Sequence, residues 1–113
     1  MDSFRKIIFY KHYFTSFYVE QTESVRKKIN QVLMLVKTQQ QIPTKFFRQI
    51  ESVKGLYEIR IESMSDIYRV FCCFDKGNLV VLFNGFQKKS QKTPKEQIAR
   101  AEQLMKEYFN NRK

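Results

Sequence analysis

The spacing of apolar and polar positions changes several times along the chain, and each change predicts an element. Residues 5–14, RKIIFYKHYF, are aromatic and β-branched and predict an N-terminal strand. Thr22 is a helix cap. After it Val25, Ile29, Val32, Leu33 and Val36 fall on one stripe, which predicts an amphipathic helix over roughly residues 23–39, stopped by Gln39-Gln40-Gln41-Ile42-Pro43. Ile42, Phe46, Phe47, Ile50 and Val53 repeat the helical spacing and predict a shorter second helix before Lys54-Gly55. The period then shortens. GLYEIRIE, DIYRVFCCF and NLVVLFNGF are three β-rich runs separated by tight turns at Ser63-Met64-Ser65 and Asp75-Lys76-Gly77, the pattern of an antiparallel meander. Last comes Thr93-Pro94-Lys95-Glu96, read as a Thr cap, a Pro at the first helical position and a Glu three residues after the cap. Ile98, Ala101, Leu104, Met105 and Tyr108 line one face of the helix that follows. The expected order is β-α-α-β-β-β-α, an α+β fold with a small, mainly antiparallel twisted sheet packed against helices. With no repeat, linker or low-complexity block, residues 1–113 are expected to form a single domain.

Composition narrows the class. A chain of 113 residues supports one modest core. Its 42% hydrophobic content, with eleven Phe and six Tyr, excludes disordered and fibrous classes. No run of eighteen apolar residues is present and the N-terminus lacks a signal-peptide apolar core, so no membrane span is expected and a cytoplasmic location is. Cys72 and Cys73 are adjacent and point to opposite faces of a strand, which suits small buried hydrophobes in a reducing compartment rather than a disulfide. Charge adds the first functional signal. Twenty-one Lys and Arg against eleven Asp and Glu give +10, a field that attracts polyanions, although solubility alone is the plainer explanation of such a charge.

Two features localise that field. Lys88, Lys89 and Lys92 lie between the last strand and a helix N-terminus, where free N–H groups and the helix dipole already favour an anion. Counting through the two turns, Glu62 faces Ile67 and Arg60 falls opposite Arg69; Phe74 faces Leu79 and Arg69 falls opposite Asn84. Two guanidiniums side by side on one sheet face repel each other unless something negative sits over them. Glu58 or Glu62 is one source of that charge and a phosphate is another; the count does not choose between them.

The segments Gly55-Leu56-Tyr57-Glu58-Ile59-Arg60, Tyr68-Arg69-Val70-Phe71, and Gly85-Phe86 followed by Lys88-Lys89-Ser90 and Lys92-Thr93-Pro94, resemble the HigB-like, phage-derived branch of the RelE/ParE toxin superfamily. The resemblance is strongest over residues 54–110. It implies a RelE-like fold and a ribosome-dependent mRNA endoribonuclease, the toxin of a type II toxin–antitoxin pair, with the ribosome and mRNA as targets and a helix-turn-helix antitoxin as partner. It also implies that no metal and no cofactor is used, which suits a sequence with one histidine. The implied reaction is attack of an RNA 2′-OH on its adjacent phosphate. Arg69 then corresponds to a transition-state stabiliser, Arg60 to a second clamp, and Lys88 or Lys89 to a phosphate ligand or acid. Lys92 would hold a neighbouring phosphate with the helix N-terminus, and Asn84 and Lys54 complete the nucleic-acid-binding set.

The departure is in the proton-transfer groups. Relatives place a Tyr, His or Asp near the C-terminal end, whereas here Gln91, Thr93 and Tyr108 are nearest, and Tyr108 lies on an apolar stripe. His12, the only histidine, is expected on the N-terminal strand, where a lone histidine is more often structural or solvated than catalytic. The base is unassigned, and a lysine with a pKa depressed by neighbouring cations is one chemical solution. Competing readings are a ParE-like DNA gyrase inhibitor, a non-catalytic basic nucleic-acid-binding module, and a degenerate toxin that still binds its antitoxin.

Overall fold

A computed structural model describes residues 3–90 and 92–112. The elements are β1 (Lys6–Phe9), α1 (Tyr13–Val19), α2 (Glu23–Thr38), β2 (Phe47–Gln49), β3 (Tyr57–Ser63), β4 (Asp66–Asp75), β5 (Leu79–Lys88) and α3 (Lys95–Asn111). The five strands form one sheet in the order β1-β5-β4-β3-β2, with β1 parallel to β5 and all other neighbours antiparallel. The α+β architecture and the meander follow the alternation of the sequence and are consistent with a RelE-like fold.

Strand alternation divides the core in two. Ile59, Ile61, Val70, Cys72, Val80 and Leu82 face α1 and α2, where they meet Phe14, Phe17, Val25, Ile29, Val32 and Val36. The intervening residues Phe71, Cys73, Val81 and Phe83 face α3, where they meet Ala101 and Leu104. The two cysteines are therefore buried on opposite faces and free, as their adjacency requires. Thr22 caps α2 by accepting from the Val25 N–H at 3.4 Å. At the other end of α2 the Arg5 guanidinium donates to the carbonyls of Val36, Gln39 and Gln40 at 3.0, 2.6 and 2.8 Å, satisfying acceptors that a helix leaves free.

The structure corrects four expectations. Residues 42–53 are not a helix. Phe47–Gln49 form a short edge strand instead, and the Arg60 N–H donates to the Phe46 carbonyl at 2.8 Å, so β3 draws this aromatic segment into the sheet. Pro43 and the β-prone Phe46-Phe47 fit a strand as well as a helix, since a short apolar run does not fix its own period. The N-terminal strand stops at Phe9; Lys11 turns with φ 55°, and Phe14, Phe17 and Tyr18 then repeat at helical spacing to form α1, with His12 at its N-cap. At α3 the N-cap is Pro94, not Thr93, with no side-chain cap bond, and the Pro94 carbonyl accepts from Gln97 and Ile98.

The fourth correction is a register. Arg60 does pair with Arg69. Across the next hairpin, however, Asp75 pairs with Leu79 and Arg69 pairs with Phe86, not Asn84. The turn is one residue tighter than the count assumed, and an irregularity between Val70 and Cys72 lets β5 carry one extra residue there. The two errors sum to a shift of two positions, which leaves the face of each β5 side chain below the bulge unchanged.

Candidate functional site

The residues with chemical potential gather at one end of the face that carries α3. On β3, Glu58 and Arg60 alternate with the buried Ile59 and Ile61, so they point to the same side as Phe71 of β4. Arg69, two residues before Phe71, joins them, and Lys88 follows Phe86 on β5 in the same way. The stacked rings of Phe71 and Phe86, with centroids 5.6 Å apart, floor the group.

Glu58 is the hub. Its carboxylate lies 3.8 Å from Arg60 Nε and 3.7 Å from Arg69 Nε, so it bridges the two guanidiniums whose juxtaposition the strand count anticipated. Glu58 is 8% exposed and Arg69 only 2%, while Arg60 and Lys88 are half-buried and Lys89 is exposed. The bridge is long. Among the described residues Glu58 Oε1 and Arg69 Nε have no hydrogen-bond partner, and Arg69 makes its bond through Nη1 to the Tyr68 carbonyl at 3.1 Å. A buried ion pair that leaves polar atoms without hydrogen bonds is costly to keep.

The cations also bear on one another. Burial is the main cause that lowers the pKa of Arg69, and Arg60 adds to it, against the opposing pull of Glu58 and Glu62. Lys88 is lowered as well, first by burial and then by Arg69, with Glu58 opposing and Arg60 adding. Arg48 belongs to the same field: it pairs with Glu58 across β2 and β3 and also depresses Arg69. An open cleft of about 530 Å³ adjoins the cluster, with Asp66, Ile67, Gln87, Lys88 and Lys89 in its walls.

Of the residues singled out in the sequence, Arg60, Arg69 and Lys88 come together and Lys89 borders the same cleft. Lys92 is exposed on the segment leading to α3, and its carbonyl accepts from Ser90 Oγ at 2.9 Å. Lys54 is exposed in the turn that precedes β3. Asn84 is buried at the bulge, where its Nδ2 donates to Gln97 Oε1 at 3.1 Å and so ties β5 to the first turn of α3. Gln91 lies outside the described residues. Tyr108 packs in the α3 core and donates to Asp75 at 2.7 Å, which together with burial pushes its phenol up to about 12. Glu58 and Arg48, which neighbours the cluster, have no catalytic or binding role in the sequence reading. Glu58 was weighed only as a counter-charge, and Arg48 was hidden inside an expected helix. Among the described residues no group of three or more His, Cys, Asp and Glu is placed to hold a metal ion, and no helix is long and apolar enough to cross a membrane.

The class is thus a small α+β domain whose sheet carries three strand cations around one buried carboxylate. Residues 17–106 match the family model of phage-derived Gp49-like proteins, and the chain belongs to that family, in which toxins of toxin–antitoxin pairs are common. No curated protein matches the sequence.

Proposed function

We propose that the protein is the toxin of a type II toxin–antitoxin pair and cleaves mRNA on the ribosome by attack of a 2′-OH on its adjacent phosphate. The observation that carries this reading is the Glu58–Arg60–Arg69–Lys88 cluster, a buried carboxylate and three cations on a single sheet face beside an open cleft. It holds the parts such a reaction needs: a proton acceptor, charge for the phosphorane, and a proton for the leaving oxygen.

In this mechanism the RNA phosphate enters between Lys88 and Arg60 and draws the guanidiniums away from Glu58. The freed Glu58 carboxylate takes the 2′-OH proton as the 2′-oxygen bonds to phosphorus. Arg69 and Arg60 stabilise the added charge of the phosphorane, and burial strengthens their effect. The P–O5′ bond then breaks, and Lys88, whose lowered pKa makes its ammonium a better acid, protonates the 5′-oxygen. The products are a 2′,3′-cyclic phosphate and a 5′-OH. Lys89 and Lys92 hold neighbouring phosphates. The net charge of +10 draws the protein to the ribosome, and the same surface recruits an acidic face of a helix-turn-helix antitoxin.

The test is primer extension on two reporter transcripts that differ only in the presence of a start codon, after induction without antitoxin. The reading expects cleavage of the translated transcript alone. Equal cutting of both refutes the ribosome requirement, and intact mRNA with inhibited DNA supercoiling replaces the nuclease with a gyrase inhibitor.

A further inference from the structure

The sheet has two edges, and they are built differently. β2, at one end, is three residues long and carries the exposed Arg48 and Gln49, a short charged rim that discourages pairing with another strand. β1, at the other end, reads Lys-Ile-Ile-Phe, with Ile8 38% and Phe9 47% exposed. Lys6 and Tyr10 donate to the carbonyls of Asn78 and Leu82 at 3.1 and 3.0 Å. Strand alternation therefore turns the backbone groups of Lys6, Ile8 and Tyr10 toward β5, and those of Ile7 and Phe9 out of the sheet. Among the described residues no strand lies beyond them.

The short open stretch fixes how a second strand can pair with it. Before it, the Arg5 N–H is already given to the Lys37 carbonyl at 3.1 Å; after it, Lys11 turns away with φ 55°. Ile7 and Phe9 are left as the outward pair. An antiparallel second copy with Ile8 on a twofold axis sets Ile7 opposite Phe9 of that copy, and both outward residues of each chain then bond through N–H and C=O alike. An axis at Ile7 sets Phe9 against the committed Arg5, and an axis at Phe9 sets Ile7 against the turning Lys11.

The side chains suit the same register. Ile7 packs toward α1 and α2, Phe9 stacks on Phe14 of α1 at 5.0 Å, and Tyr10 lies in the α3 core, so Lys6 and Ile8 share the α3 side with Tyr10. On the α1 side the exposed Phe9 ring covers Ile7 of the second copy. On the α3 side Ile8 meets its own symmetry mate, and Lys6 meets Tyr10 of the second copy, whose hydroxyl donates to Glu107 at 3.1 Å. Glu107 is partly exposed and is the carboxylate within reach of that lysine, so one edge carries both the cation and the anion of the contact.

We propose that the protein self-associates through β1, an antiparallel seam that joins two five-stranded sheets into one. The Glu58 cluster lies on β3, β4 and the far end of β5, past Leu82 where β1 stops covering β5, so each copy keeps it open. One short strand per copy falls at the small end of interface sizes, below about 1,200 Å², and two bodies of +10 repel. The dimer is therefore weak, with a Kd on the order of 10 μM, and it tightens as salt screens the repulsion. Binding of nucleic acid or of an acidic protein weakens with salt instead.

The experiment is sedimentation equilibrium of the full chain, from well below to well above that Kd and at about 0.1 M and about 0.5 M salt, with amide hydrogen exchange at both ends of the concentration range. The mass is expected to rise from 13.7 kDa to twice that value, at lower protein concentration in the higher salt. The Ile7 and Phe9 amides should exchange more slowly at high concentration, while the Ile8 amide, already turned to β5, stays unchanged. Ile8→Lys, at an exposed position, puts two like charges on the twofold axis and is expected to weaken the dimer at least about ten-fold without unfolding the protein. Met34→Lys adds the same charge on the exposed face of α2 and should leave the dimer as it was. A mass of 13.7 kDa at every concentration overturns the seam, as does a dimer that salt loosens, one that Ile8→Lys leaves intact, or one that protects Phe47–Gln49 in place of Ile7 and Phe9. An extended acidic peptide that protects Ile7 and Phe9 while the protein alone stays monomeric also overturns it, since the edge would then take a strand from a different protein.

Discussion

Replacing Glu58 by Gln removes the one carboxylate that bridges Arg60 and Arg69, and the cost can be worked from the geometry. Arg69 is 2% exposed, so the substitution leaves a buried guanidinium paired across β3 with another cation, Arg60, and opposed only by the exposed Glu62. Removing one partner of a fully buried pair costs about 3–5 kcal/mol. Here Arg60 is half-buried and its share is screened, so about 2–3 kcal/mol is expected. Arg69→Leu removes the cation instead, leaves Glu58 beside Arg60 at 3.8 Å and relieves the crowding on Lys88; its effect should stay within about 1 kcal/mol of zero. The double variant should sit close to Arg69→Leu, a coupling of about 2 kcal/mol between the two positions. Urea unfolding of the four proteins measures this cycle directly. Inorganic phosphate adds a second reading, because an anion that binds only the folded state stabilises it in proportion to its occupancy, and it should rescue Glu58→Gln more than the wild type. A Glu58→Gln midpoint equal to wild type, or a coupling below about 0.5 kcal/mol, would refute the reasoning that this carboxylate holds the cations in place.

Other perturbations probe separate parts of the account. Lys88 acts while protonated, so cleavage should be present below its folded pKa and lost as pH rises through it; burial and Arg69 place that limb below the ordinary 10.5, and Arg69→Gln should move it upward for whatever activity survives, as read from a single-turnover pH–rate profile. Gly85→Ala places a Cβ 2.6 Å from Cδ2 of Phe17 and should cost about 1–3 kcal/mol in urea unfolding, with Phe17→Leu recovering part of the loss. Burial raises the Cys73 thiol from 9.0 to about 12, and burial with the Asp75 bond raises the Tyr108 phenol from 10.0 to about 12. The unfolded chain therefore holds fewer protons over that range, and stability should decline from about pH 9 to about pH 12. Tyr108→Phe should reduce this slope and cost about 1–2 kcal/mol at neutral pH by taking a donor from buried Asp75.

How far the sequence could be read depended on where local rules decide the structure. The β3–β4 hairpin was legible because both strands alternate cleanly and Ser63-Met64-Ser65 bounds the loop, so Arg60 opposite Arg69 followed from counting. The same counting failed across β4 and β5, because nothing in NLVVLFNGF marks the extra residue near Phe83-Asn84 that the sheet accommodates against Phe71. Residues 42–53 were misread for a different reason. Their apolar spacing is helical, but the open edge of β3 offers Phe46 and Phe47 backbone bonds and ring partners, with Phe47 stacked on Tyr57 at 5.1 Å. That competition is tertiary and has no local signature. The cost was Arg48, a cation that strand pairing brings into the field of Arg69. Glu58 was visible two positions before Arg60, yet only the structure shows it between both guanidiniums.

The central claim is that the strand cations around Glu58 perform phosphoryl transfer, and the ends of the RNA test it most directly. Ribosomes programmed with a defined mRNA are incubated with the wild type and with Arg69→Leu, after unfolding shows both to be folded, and the fragment termini are analysed. The account predicts wild-type fragments with a 2′,3′-cyclic phosphate on one side and a 5′-OH on the other, and a loss of at least about a hundred-fold in rate with Arg69→Leu, the scale on which removing one transition-state charge is felt. Intact mRNA with the wild type, or a folded Arg69→Leu protein that cuts at the wild-type rate, would contradict it.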